Sequence, residues 1–435
     1  MNSFKLFILL IGFVFTQESA REISLGGSMV TLSRGISSIG VNPANLAFSK
    51  STFNLINFNT SIYNNLFSIQ VYNNINGTDL ENPNSLLTKT ELIEIIDGDS
   101  FDLSHNFNLY IPGINFSNSS YAITTKLNQI IAFKAGNGLL KTLFFGNEWE
   151  TEVPISLEIQ SHTIVEYGYS SSYNIEGFAL GYTLKYLQGV NLLNLYTTED
   201  SEPLYTDSNG IDVGLIFARE IYPGGSGFGV DIGFLTKQPI NGYSIGLSVT
   251  NLFGYINWDK KNLNYTLFGR NIADNMNLNT YQTEFIGFRI NNLNATDLMS
   301  DAEEFADSVV SDTSFIDSND YLVKRTDYPS VLRFGLSKII LDNLNLAYES
   351  RTRLQSLGSS KANWIHSLGL EVIRWKLFPI RFGVSSGDKL NHKFSFGGGI
   401  HLNPFELDLG ISWIGSRKLY TANGFELGFT LTFIY

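Results

Sequence analysis

The sequence predicts an all-β protein, a transmembrane antiparallel β-barrel of about fourteen to sixteen strands with short loop helices. Three observations carry this: a leader at the N-terminus, long stretches in which apolar and polar residues alternate, and a last strand that ends on an aromatic residue.

Residues 1–20 read MNSFKLFILLIGFVFTQESA. Lys5 precedes an apolar run from Leu6 to Phe15, too short for a bilayer-spanning helix and right for the core of a signal peptide. Ser19 and Ala20 are small residues near a cleavage point, and Glu18 fits poorly if the cut follows Ala20, so the cut falls between about 16 and 20. Residues 1–20 are assigned to the leader. No later segment approaches about 18 uninterrupted apolar residues, so an exported protein that stays in a membrane needs a barrel.

Of 435 residues, 16% are charged and 14% aromatic, yet mean hydropathy is only +0.01. Apolar and polar residues are therefore finely interleaved, as lipid-facing and lumen-facing positions are in barrel strands. A net charge of −12, from 41 acidic and 29 basic residues, argues against nucleic acid as a partner. The absence of cysteine excludes a disulfide framework, a thiolate metal site, a cysteine nucleophile and a lipoprotein anchor, and suits an oxidising envelope.

The alternation is clearest at the end of the chain. Phe425, Leu427, Phe429, Leu431, Phe433 and Tyr435 share one parity, and Glu426, Gly428, Thr430, Thr432 and Ile434 the other. Phe405, Leu407, Leu409, Ile411 and Trp413 alternate with Glu406, Asp408, Gly410 and Ser412. Successive strand side chains point to opposite faces, so each run has an apolar face and a face of small, hydroxyl and acidic residues. Similar runs begin at Phe178, Ile211, Phe228, Tyr243, Leu332, Leu344, Trp364 and Phe378. Opposite their apolar faces stand Lys185, Asp212, Asp231, Arg333, Glu349, Glu371 and Arg381. With Glu406, Asp408 and Glu426 these are the candidates for a lumen lining. A soluble β-sandwich shows comparable alternation; the leader and the aromatic terminus favour the barrel. Phe433 and Tyr435 are the candidate signal for the barrel assembly machinery. Residues 90–97 (TELIEIID) and 299–311 (MSDAEEFADSVVS) have helical periodicity and are assigned to loops.

Both termini on the periplasmic side make 414–422, 386–392 and 351–362 outer loops and 403–404, 375–377 and 339–342 inner turns. Residues 252–329 then hold an odd number of strands, and one is placed near Tyr281 to Ile290. Candidates at 155–168, 101–111, 66–73 and 52–60 bring the count to about sixteen, with about fourteen equally acceptable.

Residues 23–48 read ISLGGSMVTLSRGISSIGVNPANLAF. Proline fixes its own φ and pushes Asn42 toward extended geometry, while the Asn42 side chain can bond the backbone just beyond it, so Asn42, Pro43 and Ala44 turn the chain and a helix can start at Pro43. With Gly26, Gly27, Arg34, Gly35 and Leu46, this stretch resembles the opening of the FadL and PorV-like group of outer-membrane barrels. Val41 stands where that group often has an aromatic residue, and residues 248–254 (SVTNLFG) are a weaker echo. The resemblance implies that residues 21–48 fold into the barrel as a hatch and 49–435 form the barrel itself. Read without it, the segment is a surface turn before the first strand.

The resemblance implies a bacterial outer-membrane protein that binds or passes hydrophobic small molecules. The alternative is a non-transporting scaffold for exported proteins, as in type IX secretion. Outer-membrane lipid, the assembly machinery, a hydrophobic ligand and a secreted protein are the partners these readings allow. Catalysis is the third class. His366 and His105 share parity with apolar residues, His392 falls in a loop, and only His162 and His401 point inward. No Gly-x-Ser-x-Gly elbow is present, and no spacing suggests a metal or other cofactor.

Overall fold

A computed structural model describes residues 19–435 apart from 77–78, 81, 83, 98–99, 223, 237–241, 259–265, 268–269, 272–282, 294–308, 317–323, 341–342, 355–363, 376 and 388–390. Fourteen antiparallel strands close into a barrel. In chain order they are β1 (Thr52–Asn64), β2 (Phe101–Tyr110), β3 (Tyr121–Ala135), β4 (Leu157–Ile175), β5 (Phe178–Thr197), β6 (Gly225–Thr236) and β7 (Tyr243–Trp258). There follow β8 (Val331–Ile340), β9 (Leu344–Arg353), β10 (Ile365–Val372), β11 (Ile380–Gly387), β12 (Asn391–Leu402), β13 (Phe405–Ile414) and β14 (Gly424–Ile434). Each pairs with the next, and β14 pairs with β1, Phe53 standing opposite Phe433. Closure leaves the ring without an edge, the condition for strands to cross hydrocarbon. No helix among the described residues is long and apolar enough to cross a membrane.

The apolar parity faces outward. Phe228, Ile232, Leu247, Leu368, Phe382, Phe396, Leu409 and Leu427 are exposed, whereas the opposite parity is buried. Cross-strand aromatic pairs brace this surface: Phe58 with Phe429, Tyr186 with Phe228, Phe382 with Phe396, and Phe405 with Phe433, with ring centroids 5.3–5.7 Å apart. Such pairs stabilise a sheet beyond its ladder. An outward apolar band on a closed barrel makes this an outer-membrane protein.

Several sequence assignments are corrected. The strand proposed at 66–73 is replaced by a helix, α2 (Ile69–Ile75), capped by Ser68, whose side chain accepts from the Val71 amide. β3 is absent from the sequence reading because its parity is mixed: Thr125 and Gln129 share the outward register with Leu127, while Ile130 shares the inward one with Asn128. His392 lies within β12. The run from Ile211 belongs to a strand, Gly210–Tyr222, that pairs with the end of β5 and with Thr283–Leu293, which in turn pairs with Val309–Ile316. Neither the 211 run nor the strand near 281–290 is in the ring. Omitting both leaves the direction of every later strand unchanged. The helix at 90–97 is present as α3 (Lys89–Ile96), held by a capping box between Thr88 and Glu91. Most of the proposed helix at 299–311 lies outside the described residues, and Val309, Val310 and Ser311 are strand.

Deleting residues 433–435 should leave export intact and prevent insertion. It removes the Phe53–Phe433 register and the Phe405–Phe433 contact that close the ring. Loss of the heat-modifiable band in outer-membrane fractions is the expected outcome, and its persistence would show that closure does not need these residues.

Candidate functional site

The inward parity meets the N-terminal segment. Ser19 caps a one-turn helix, α1 (Ala20–Ser24), its side chain accepting from the Glu22 amide. Gly26 and Gly27 have φ of 66° and 99° and end the helix in the left-handed region that favours glycine. Farther on, the Asn42 side chain accepts from the Ala44 amide and opens a 3-10 helix, Pro43–Phe48, while its amide nitrogen donates to the carbonyls of Val30 and Phe234. Asn42, Pro43, Ala44 and Leu46 are all buried. Leu46 packs with Ile39 and Ala122 of β3, and Ala44 with Ala179 of β5 and Leu235 of β6.

What admits this segment is a lining of glycine. Nine ring strands present one to it: Gly181, Gly233, Gly246, Gly335, Gly369, Gly383, Gly397, Gly410 and Gly428. A Cβ at Gly369 would lie 2.9 Å from the Leu25 carbonyl oxygen, and one at Gly246 2.9 Å from that of Val30. At Gly181, Gly383 and Gly410 it would overlap the backbone of Ala44, Gly26 and Ala20. Many of these glycines face one another across the ladder, as Gly181 does Gly233, Gly369 does Gly383, and Gly410 both Gly397 and Gly428.

Charge fixes the segment in place. Arg21 makes a two-pronged contact with Glu371, Nε to Oε1 at 2.9 Å and Nη2 to Oε2 at 2.7 Å. Arg381 joins Glu371 at 2.7 Å and Asp408 at 2.6 Å. Glu22, 0% exposed, accepts from Arg333 at 2.9 Å and lies 3.9 Å from Arg351. Glu349 accepts from Arg333 at 3.0 Å and from the amides of Met29 and Val30 at 2.8 Å. Lys393 bonds Glu426 at 3.0 Å, and His401 lies 3.0 Å from Asp408 and 3.6 Å from Glu406.

A second polar cluster sits on β3–β7. Lys185 contacts Asp231 at 3.0 Å and Glu166 at 3.4 Å, and Lys126 reaches Glu166 at 3.6 Å. Lys185 also donates to Asn251 at 2.8 Å. Asn251 and Phe253 have φ of 55° and 57°, and the β6–β7 ladder shifts register on both sides of Leu252. This bulge leaves Phe253 exposed, while Asn251 bonds Asp231, Pro329 and Ser330. Such strain persists only where surroundings over-determine it. Beside the cluster, Ile164, Leu187, Leu192, Tyr222, Ile256 and Trp258 form an apolar core.

Of the ten charged residues chosen from alternation, nine stand on the ring. Asp212 instead lies opposite Tyr205 on the side sheet. Arg21, Glu22, Lys126, Glu166, Arg351 and Lys393 were not singled out; only the adjacent opposite charges of Arg21 and Glu22, in a stretch otherwise of small and apolar residues, offered a signal. No group of three or more metal-ligating side chains converges among the described residues.

At the outer end α2, α3 and α4 (Asn137–Phe145) pack over β2 and β3. They enclose Leu87, Leu92, Ile96 and Leu140 with Phe67, Phe101, Phe133 and Phe144. A recess of about 480 Å³ beside them is lined by Val71, Asn74, Leu86, Leu87, Glu91 and Ile95.

A family model, described as a family of unknown function (DUF5723), matches residues 191–410, just over half of the chain. The chain belongs to this DUF5723 family. No curated protein sequence matches it. Among solved structures, this DUF5723 member is similar to the toluene transporter TbuX of Ralstonia pickettii, with a TM-score of 0.55 and 11% identity, over 97% of this chain and 100% of that one. It is also similar to the toluene transporter TodX of Pseudomonas putida, with a TM-score of 0.51 and 11% identity, over 97% and 98%. A Pseudomonas aeruginosa FadL homologue gives a TM-score of 0.51 and 12% identity, over 98% and 100%. At these identities the shared property is the FadL-type barrel fold.

Replacing Glu22 by Ala should weaken docking of the segment by about 1–3 kcal/mol, because buried Arg333 loses one of its two acids and keeps Glu349. Gly397→Leu with Gly410→Leu should displace α1 without opening the ring. Both are read as faster trypsin cleavage after Arg21 and Arg34 in protein that keeps its heat-modifiable mobility.

Proposed function

We propose that the protein is an outer-membrane channel for hydrophobic small molecules in which residues 19–48 act as the plug. The observation that carries this is the fit of the segment to glycines on nine strands. A ring of about fourteen strands has a lumen that must be filled or left to water. The helical cap supports the same reading, since Leu86, Tyr72 and Leu143 are exposed there and give an apolar ligand a surface to leave water on. The bulge at Asn251 is the strained place in the wall and the candidate for movement during passage. The leader at residues 1–20 and recognition of β14 by the assembly machinery belong to this proposal.

A scaffold for an exported protein is the second reading. It is favoured by the side sheet, whose strand Val309–Ile316 pairs with Thr283–Leu293 and, among the described residues, with no strand beyond it. A partner strand could add to that edge.

Deleting residues 23–41 should preserve the ring and turn low conductance in planar bilayers into a large, steady, weakly selective one. Uptake of a monoaromatic probe should lose its saturable character. Unchanged conductance in a folded deletion mutant, with an exported protein recovered stoichiometrically on the wild type, would favour the scaffold.

A further inference from the structure

The outward face of β9–β13 changes character in rows. Leu346, Leu370, Phe382, Phe396 and Ile411 stand side by side, and two residues nearer the outer rim stand Tyr348, Leu368, Val384, Phe394 and Trp413. The next row is Ser350, His366, Ser386 and His392. Rows are about 7 Å apart, so hydrocarbon gives way to headgroups between the second and third. In the second and third rows the small side chains of Val384 and Ser386 lie between Tyr348, His366 and Leu368 on one side and His392 and Phe394 on the other. They leave a recess of about 220 Å³.

We propose that this recess holds an outer-leaflet lipopolysaccharide, its phosphates on the two imidazoles and the first carbons of one acyl chain over Val384. The Tyr348 hydroxyl and Nδ1 of His366 are 2.8 Å apart and the rings stack. With the hydroxyl donating, the neutral imidazole carries its proton on Nε2, a donor for an anionic oxygen. On the other flank the Gly415 amide donates to the His392 carbonyl at 2.9 Å, and Trp413 Nε1 donates to the Arg417 carbonyl at 3.4 Å. These bonds bring the loop bearing exposed Arg417 and Lys418 to the same rim. Among the described residues of β9–β13 no carboxylate occupies the outward face, although the chain as a whole carries a net charge of −12. Donors on β10 and β12 are two strand spacings, about 10 Å, apart. That separation suits a headgroup with more than one phosphate and exceeds the reach of a single phospholipid phosphate. The site is independent of what crosses the lumen.

The test is native mass spectrometry of the full protein in mild detergent, titrated with lipid A, dephosphorylated lipid A or phosphatidylglycerol. Lipid A should be retained best. His366→Ala with His392→Ala should lower its retention at least tenfold, since two hydrogen bonds to charged oxygens are lost. Ser386→Leu fills the recess, keeps both imidazoles and should lower retention as well, which guards against misfolding of the double variant. His105→Ala, on the outward parity of β2, should change nothing. Unchanged retention in folded variants, equal loss with His105→Ala, or equal retention of dephosphorylated lipid A would overturn the site. Equal retention of phosphatidylglycerol would overturn its assignment to lipopolysaccharide.

Discussion

A ring of fourteen strands encloses more space than its own side chains fill, and the interior of this protein is organised around that constraint. The wall answers it by subtraction. Glycine on strand after strand lets the backbone of residues 20–44 approach the ladder at distances that any Cβ would forbid. Small residues on the wall and a compact, turn-rich segment on the chain are two halves of one packing solution. It explains why the inward face of these strands is poor in large apolar side chains just where the outward face is rich in them.

The same segment brings charge with it. Arg21 and Glu22 enter a space where desolvation penalises any lone ion, and each meets an opposite charge already anchored on the ring, Glu371 and Arg333. Arginine suits these positions because its planar fork can hold one carboxylate with two bonds, as Arg21 holds Glu371, or bridge two carboxylates, as Arg381 does between Glu371 and Asp408. The cluster around Lys185 follows the same rule with lysine, a point charge that touches Glu166, Asp231 and Asn251 together. The interior is therefore polar and tightly committed, with an apolar core of Trp258 and Leu187 beside it.

Alternation made β10–β14 legible from residues alone, because there one parity is apolar throughout and the other small or charged. It was silent on β3, where polar Thr125 and Gln129 share the parity of Leu127 and Ile130 the opposite one, and it placed the run at Ile211 in the wall because a strand of the side sheet carries the same period as a strand of the ring. Charged lumen residues could be found where alternation was regular; their pairing could not, since Glu349 is joined to Arg333 from the next strand but Arg21 to Glu371 across 350 residues. The turn at Asn42 and Pro43 was readable because its chemistry is local. The glycine lining was visible only as a composition of the polar parity, since its meaning depends on what stands opposite.

The ladder between β1 and β14 joins the first strand to the last. Until that seam forms, the sheet is open and its two outer strands lack partners. Residues 20–44 contact β5–β8 and β10–β14, so their seat is complete only when strands from both halves of the chain stand together. The N-terminal stretch is thus made hundreds of residues before its surroundings, Arg21 standing 350 residues ahead of Glu371, and its docking depends on the whole ring. Such long-range closure is slow, which gives the N-terminal stretch time to find its seat.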